Sequence, residues 1–312
     1  MSHAMHERHA LAHAPPSGVL LLDKPEGLSS NGALQRVRRL TGAEKAGHVG
    51  SLDPLATGML PICLGEATKI AGELVGGHKR YRFEIALGAA TDTGDRAGAV
   101  VERAQVPQLD ATSLAAVLAR FRGRQPQVPP MYSALKRGGQ PLYRLARAGI
   151  EVERAPREIE IHELVLISLR AEVVELEALC SKGTYIRVLA ADIARALGTC
   201  GHVIVLRRLW VAPFEAESMQ TLEALEASCH AGASPRLIPA DRTLPGLPAV
   251  TVTQDGAMRL ARGQTVALPE PQLAGRVRLY GPTGRFLGLG EAWNGELRPK
   301  RMFLLAPGEP SE

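Results

Sequence analysis

The segment YRFEIAL narrows the fold most: Tyr81, Phe83, Ile85 and Leu87 recur with a period of two. That period puts all four on one face of a strand with one buried side. Around it, GVLLLDK (18–24) reads as a buried strand ending at Pro25 and Gly27. Ser29, Ser30 and Asn31 offer N-caps for a helix through Thr41 that Gly42 stops. Residues 47–61 read as a Gly- and Pro-rich loop, 66–75 as helical, 112–121 as an amphipathic helix and 142–148 as a short helix. Runs 158–168 and 172–180 read as strands, followed by the helix GTYIRVLAADIARALG and the strand HVIVLRRLWV. The strand and helix pairs lack the regular spacing of a doubly wound sheet. The expected class is α+β, a mixed and mainly antiparallel sheet with flanking helices.

At 312 residues the chain exceeds the usual size of one core. After a short helix near 221–229, Pro235, Pro239, Pro245 and Pro248 mark a boundary, and VRLY, GRFLGLGEAW and RMFLLA beyond it alternate like a small β-barrel. We expect a His-rich tail over 1–17, a main domain over 18–245 and a small β domain over 246–312. Hydrophobic residues are 45% and charged residues 22%, and no apolar run is long enough to span a bilayer. Cys63, Cys180, Cys200 and Cys229 form no CxxC pair and no metal-ligand spacing, so a cytoplasmic protein without metal or cofactor is expected. His3, His6, His9 and His13 are too loosely spaced in the tail to argue for metal.

The placement of charge says more than the net +5. Between Ala111 and Ile150 there is no acidic residue, while Arg120, Arg122, Arg124, Lys136, Arg137, Arg144 and Arg147 add a local +7. Solvated faces usually mix signs, so a polyanion is the simpler reading, and nucleic-acid phosphate suits it. Gly256 to Phe303 repeats the bias more weakly, with eight Lys or Arg against three Glu.

The stretch GHVGSLDPLATG (47–58) places three glycines, His48 and Asp53 within twelve residues. Pro54 disfavours the helical region for Asp53, and the glycines admit close approach by another backbone or a ligand. This suits a positioned nucleophile or base, although an Asp-Pro turn in which the acid caps its own loop accounts for the same residues.

GHVGSLDPLATGMLPICLGEATK resembles the signature segment of the TruB family, the bacterial tRNA pseudouridine-55 synthases. So do LLLDKPEGLSSN, KRYRFEIALGAATDTGD, PPMYSALKRGGQPLYRLARAGIEVERAPR, CSKGTYIRVLAADIARALG and HVIVLRRLWVAPF, in family order over most of 18–214. Val49 and Ser51 stand where threonine and alanine are common in the family. The resemblance implies a pseudouridine synthase core with an RNA-binding insertion over about 124–156 and a PUA-like C-terminal barrel. It further implies a monomer that turns uridine into pseudouridine in a tRNA T-stem-loop. By resemblance, Asp53 is the nucleophile, Arg187 in GTYIR its ion-pair partner and Tyr185 the tyrosine beside the base. His48 fills the space left by the flipped base, Tyr81 stacks on the uracil and Leu206 lines the pocket. Lys24 and Lys136 match basic or structural positions: Lys24 is expected to position loop backbone or to lie on the substrate side, and Lys136, in the acid-free stretch, to contact substrate phosphate. Isomerisation leaves the oxidation state unchanged, and a carboxylate splits it into two easier steps by capturing an electrophilic carbon. Asp92 and Asp95 fail the calcium-loop spacing and are read as loop or RNA-proximal residues. A non-enzymatic RNA binder would use the basic stretch and the β module without Asp53. A glycoside hydrolase would need two suitably spaced carboxylates, of which only one is defined here.

Overall fold

The computed structural model describes residues 16–270 and 272–303, so nearly all of the expected His-rich tail lies outside the described residues. The chain begins with β1 (Gly18–Lys24), α1 (Ser30–Thr41), β2 (Ala46–His48), β3 (Thr57–Leu64), α2 (Ala71–Leu74) and β4 (Lys79–Leu87). Ser29 caps α1 by accepting the N–H of Gly32, and Gly42 closes it at φ +65°. A hairpin of β5 (Ala89–Thr91) and β6 (Val100–Arg103) leads to α3 (Ala111–Ala119) and β7 (Gly123–Gln127). A second small hairpin, β8 (Lys136–Arg137) and β9 (Gln140–Pro141), precedes α4 (Leu142–Arg147). The long strands β10 (Arg157–Arg170) and β11 (Val173–Cys180) then enter α5 (Ile186–Ala196), β12 (Gly201–Val211), β13 (Gln220–Thr221) and α6 (Leu222–His230).

These strands form one nine-stranded sheet in the order β13-β1-β3-β12-β4-β11-β10-β7, with β2 paired to β3. Only β1–β13 and β3–β12 run parallel, so the sheet is mixed and mainly antiparallel as expected. Tyr81, Phe83, Ile85 and Leu87 are all buried on one face, where α3 and α5 pack. The intervening residues of β4 face water in a cross-strand ladder, Arg80 pairing with Glu163 and Glu177, Arg82 with Glu175 and Glu84 with Arg170.

The structure revises the reading in three places. Only residues 49–56 of the expected loop are irregular, because β2 and β3 take up the rest despite Gly58 and Pro61. The excursion from the sheet starts after Gln127, since Arg124 to Gln127 form an edge strand against β10. In the C-terminal part, β14 (Ala249–Thr251) is followed by an unanticipated helix, α7 (Gln254–Ala261), which Thr253 caps at Gly256. With only eight residues and a glycine in its first turn, α7 is short and of weak intrinsic helix propensity. β15 (Val266–Ala267), β16 (Gly275–Tyr280), β17 (Phe286–Trp293) and β18 (Glu296–Met302) complete a five-stranded sheet ordered β14-β16-β17-β18-β15.

Leu289, Phe286 and Phe303 from this C-terminal sheet pack into one apolar cluster with Met59, Val211, Phe214 and Leu244. Lys69 adds a hydrogen bond to the carbonyl of Met302 at 2.8 Å.

Gly58 is the tightest point of the large sheet. Its φ is +99°, and a Cβ there would lie 2.1 Å from the carbonyl oxygen of Arg208 where β3 meets β12. Gly58→Ala therefore adds left-handed strain to a backbone clash and should cost roughly 2–5 kcal/mol in urea unfolding.

Candidate active site

The irregular segment 49–56 is held from below by buried polar groups. Ser30, at the start of α1, accepts the N–H of Leu52 at 2.7 Å and donates to its carbonyl at 2.9 Å. Lys24, at the end of β1, is fully buried and donates to the carbonyls of Pro25, Leu28 and Pro54 at 2.8, 2.7 and 3.4 Å. The Asp53 carbonyl accepts the N–H of Ala56 at 3.0 Å, closing a turn around the acid. Asp53 is thus an Asp-Pro turn residue whose carboxylate is left free to face a cavity.

Across that cavity, Tyr185 precedes the first residue of α5 in extended conformation, and Arg187 follows in the first turn. Gln127, at the end of β7, fixes this entry by accepting the N–H of Tyr185 at 2.8 Å and donating to its carbonyl at 3.1 Å. Arg187 is 4% exposed and uses all three nitrogens: Nε to Asp53 at 2.9 Å, Nη1 to the Thr93 carbonyl at 2.5 Å and Nη2 to the Tyr132 carbonyl at 2.7 Å. Asp95 stands 3.8 Å from the same Nε. The Asp53 side chain remains 38% exposed toward the cavity. Removal from bulk water raises its pKa above the ordinary 3.8. The Arg187 guanidinium pulls it back, the Asp95 carboxylate pushes it up again and Lys24 adds a weaker pull down.

The cavity is about 400 Å³ and, besides Asp53 and Arg187, Tyr81, Tyr185 and Leu206 line it. Tyr81 is buried on β4, and burial raises its phenol pKa, as it does that of Tyr185. Both are neutral donors near neutral pH.

Three expected site residues fall outside this group. His48 ends β2; burial first and the nearby Arg208 charge second lower its pKa, and its Nδ1 is buried without a partner. Lys136 is exposed on the β8–β9 hairpin, just beyond the cavity residues Ser133, Ala134 and Leu135. Of the two expectations for Lys24, the geometry favours the backbone-positioning one: with no exposed surface and three carbonyl acceptors, its ammonium organises the Asp53 loop. Burial brings its pKa down to about 8 despite the pull of Asp53 and Glu26. The reading of Asp95 as a mere loop residue is also revised, since its carboxylate caps Ala97 and Thr93 and still reaches Arg187.

Sequence reasoning missed Arg208, Lys79 and Ser133, all of which line the cavity. Arg208 is 1% exposed, with Nε on the Met59 carbonyl and Nη2 on the Gly50 carbonyl. Lys79 is buried and bonded to the carbonyls of Val75 and Gly77, and burial lowers its pKa to about 8. Their signal was present as parity: Arg208 lies two residues after Leu206 and Lys79 two before Tyr81, so both charges fall on the buried face of a strand.

All seven cations of the acid-free stretch are exposed, but β10 answers some of them. Arg124 lies 3.6 Å from Glu160, and Arg122 donates to the Leu164 carbonyl. Farther out, Arg147 sits over the ring of Tyr143 at 5.8 Å.

The fold matches that of a solved chain from the archaeal box H/ACA sRNP Nop10-Cbf5 complex. The two superpose with a TM-score of 0.69 at 21% identity, over 93% of this chain and 87% of that one. A family model described as TruB family pseudouridylate synthase (N terminal domain) matches residues 38–186. A tRNA pseudouridylate synthase B C-terminal domain model matches 187–244, and a Pseudouridine synthase II TruB, C-terminal, model matches 248–303. The chain is 50% identical to the tRNA pseudouridine synthase B of Chromohalobacter salexigens, over 93% of its own length and 95% of the relative's. It is 49% identical to that of Nitrosococcus oceani, over 93% and 96%. The chain belongs to the TruB family.

Lys24→Met keeps the volume but strands three buried carbonyls. We expect a loss of about 1–3 kcal/mol in urea unfolding, with the Asp53 loop loosened.

Proposed function

We propose that the protein isomerises uridine to pseudouridine in tRNA, at the T-loop position 55 that the family resemblance implies, with Asp53 as the nucleophile. The carrying observation is the Asp53–Arg187 pair at 2.9 Å beside a cavity of nucleobase dimensions. A carboxylate there is charged and aimed without further rearrangement of its partner.

The target base is extruded from its RNA loop to reach Asp53, and the cavity then receives it. Tyr81 and Leu206 offer it a stacking ring and an apolar wall, while His48, outside the cavity, is placed for the space the base leaves. Asp53 captures an electrophilic carbon of the sugar or the ring as the glycosidic bond breaks. The uracil turns while held, carbon five bonds to the sugar carbon as the Asp53 carboxylate is expelled, and carbon five loses its proton while N1, freed from the sugar, gains one; Tyr185 is the group this reading assigns to that proton. Arg187 balances the carboxylate charge before capture and again once the carboxylate is released.

The division into a catalytic part (18–245), an insertion that grips RNA and a PUA-like part (246–312) belongs to this reading, as do the T-stem-loop partner, a monomeric state and a cytoplasmic location. Supporting it are the exposed cations Arg120, Lys136, Arg144 and Arg147 on the insertion side of the cavity. No helix among the described residues is long and apolar enough to cross a membrane.

A T-arm stem-loop tritiated at uracil carbon five tests the reading. Wild type should release tritium, and Asp53→Asn should lose release by at least about a thousandfold while still binding the RNA. Binding without release would leave an RNA-binding protein, and free uracil would mean hydrolysis. The pH profile provides a second check. Catalysis needs ionised Asp53 and is lost as pH falls through its pKa, so the acid limb of kcat/KM should lie above 3.8. Asp95→Asn removes a like charge and should move that limb to lower pH.

A further inference from the structure

Several polar groups lining the cavity are already committed to partners. Arg187 is saturated by Asp53 and two carbonyls, Arg208 and Lys79 each hold two carbonyls, and Thr184 donates to the Ser181 carbonyl. Ser133 is different. It is 6% exposed and lines the cavity, and its Oγ is buried without a hydrogen-bond partner. Among the described residues, no other such orphaned side-chain atom belongs to a cavity-lining residue. A buried hydroxyl left unsatisfied is costly, and native proteins keep few of them without a use.

The backbone around Ser133 is fixed. Its N–H reaches the Met131 carbonyl at 2.9 Å and its carbonyl accepts the N–H of Tyr143 at 3.1 Å, while the Leu135 carbonyl accepts the N–H of Leu142 at 2.7 Å. The hydroxyl is therefore held in place by the segment that also carries Lys136 and α4. The hydroxyl stands close enough to the Tyr185 phenol to temper the rise in the Tyr185 pKa that burial causes.

We propose that Ser133 is a base-contacting residue whose hydroxyl donates a hydrogen bond to a carbonyl of the uracil held in the cavity. The inference rests on the uridine-isomerase reading and adds a specificity contact to it. Uracil offers carbonyl acceptors at carbons two and four, and a buried, uncommitted hydroxyl distinguishes a ring that presents such an oxygen from one that does not. The contact comes from the insertion, so the segment that grips the RNA also reads the base.

The test is a cycle between protein and substrate. Wild type and Ser133→Ala are compared on T-arm stem-loops bearing uridine, 2-thiouridine or 4-thiouridine at the target, by single-turnover kcat/KM. Sulfur is a weak acceptor, so one of the two thio substrates should lower wild-type kcat/KM by roughly 5- to 100-fold. Ser133→Ala should lose a similar factor on uridine yet lose little more on that thio substrate, because the bond is already gone. Independent, multiplying losses on both thio substrates would overturn the proposal, as would an unchanged kcat/KM for Ser133→Ala on uridine. Thermal unfolding of Ser133→Ala separates misfolding from loss of contact, and Ser133→Thr, which keeps the hydroxyl, should retain the sensitivity to sulfur. Failure of wild type on plain uridine would instead strike at the isomerase reading.

Discussion

An ionised carboxylate drawn partly out of water beside a cavity calls for a cation, and much of the structure around Asp53 meets that requirement. Arg187 is the cation, and it is itself buried, so its other donors need acceptors in turn. Thr93 from the β5–β6 connection and Tyr132 from the segment between β7 and β8 supply them, with Gln127 fixing the helix entry. One ion pair thus draws together four stretches of chain that are remote in sequence.

The sheet makes this convergence possible. β3 and β12 run parallel for only two residue pairs, and that short contact brings Arg208 under the Asp53 loop. β4 lies next to β12, so Tyr81 and Leu206 project from neighbouring strands toward the same opening. The second buried cation, Lys24, gives the loop a floor by gathering backbone carbonyls rather than by meeting a carboxylate. The site is consequently rigid at its base and open at its mouth.

Much of this was legible in the sequence. The period of two in YRFEIAL gave the buried face of β4, and Ser29 and Gly42 gave both ends of α1, because each depends on local chemistry alone. The pairing of Asp53 with Arg187 came through family resemblance, since 134 residues separate them and no spacing rule links such positions. The two expectations for Lys24 were not separable in the sequence, because a lysine beside a proline looks the same whether its ammonium meets substrate or three carbonyls. Ser133 carried no signal at all: a serine is marked out by the partner it lacks, which only the folded chain reveals. The extent of β3 was missed because Gly58 and Pro61 ordinarily break strands, and here the glycine is what lets Arg208 approach.

The apolar cluster that joins Phe286, Leu289 and Phe303 to Met59, Val211 and Phe214 bears on how the molecule comes apart. A C-terminal module tethered by a flexible linker would melt independently of the catalytic sheet. Here separation would uncover apolar surface on β3 and β12, the strands that carry Gly58 and Arg208. The two parts therefore stabilise each other across this seam, and losing the C-terminal sheet would weaken the very strands that hold the site.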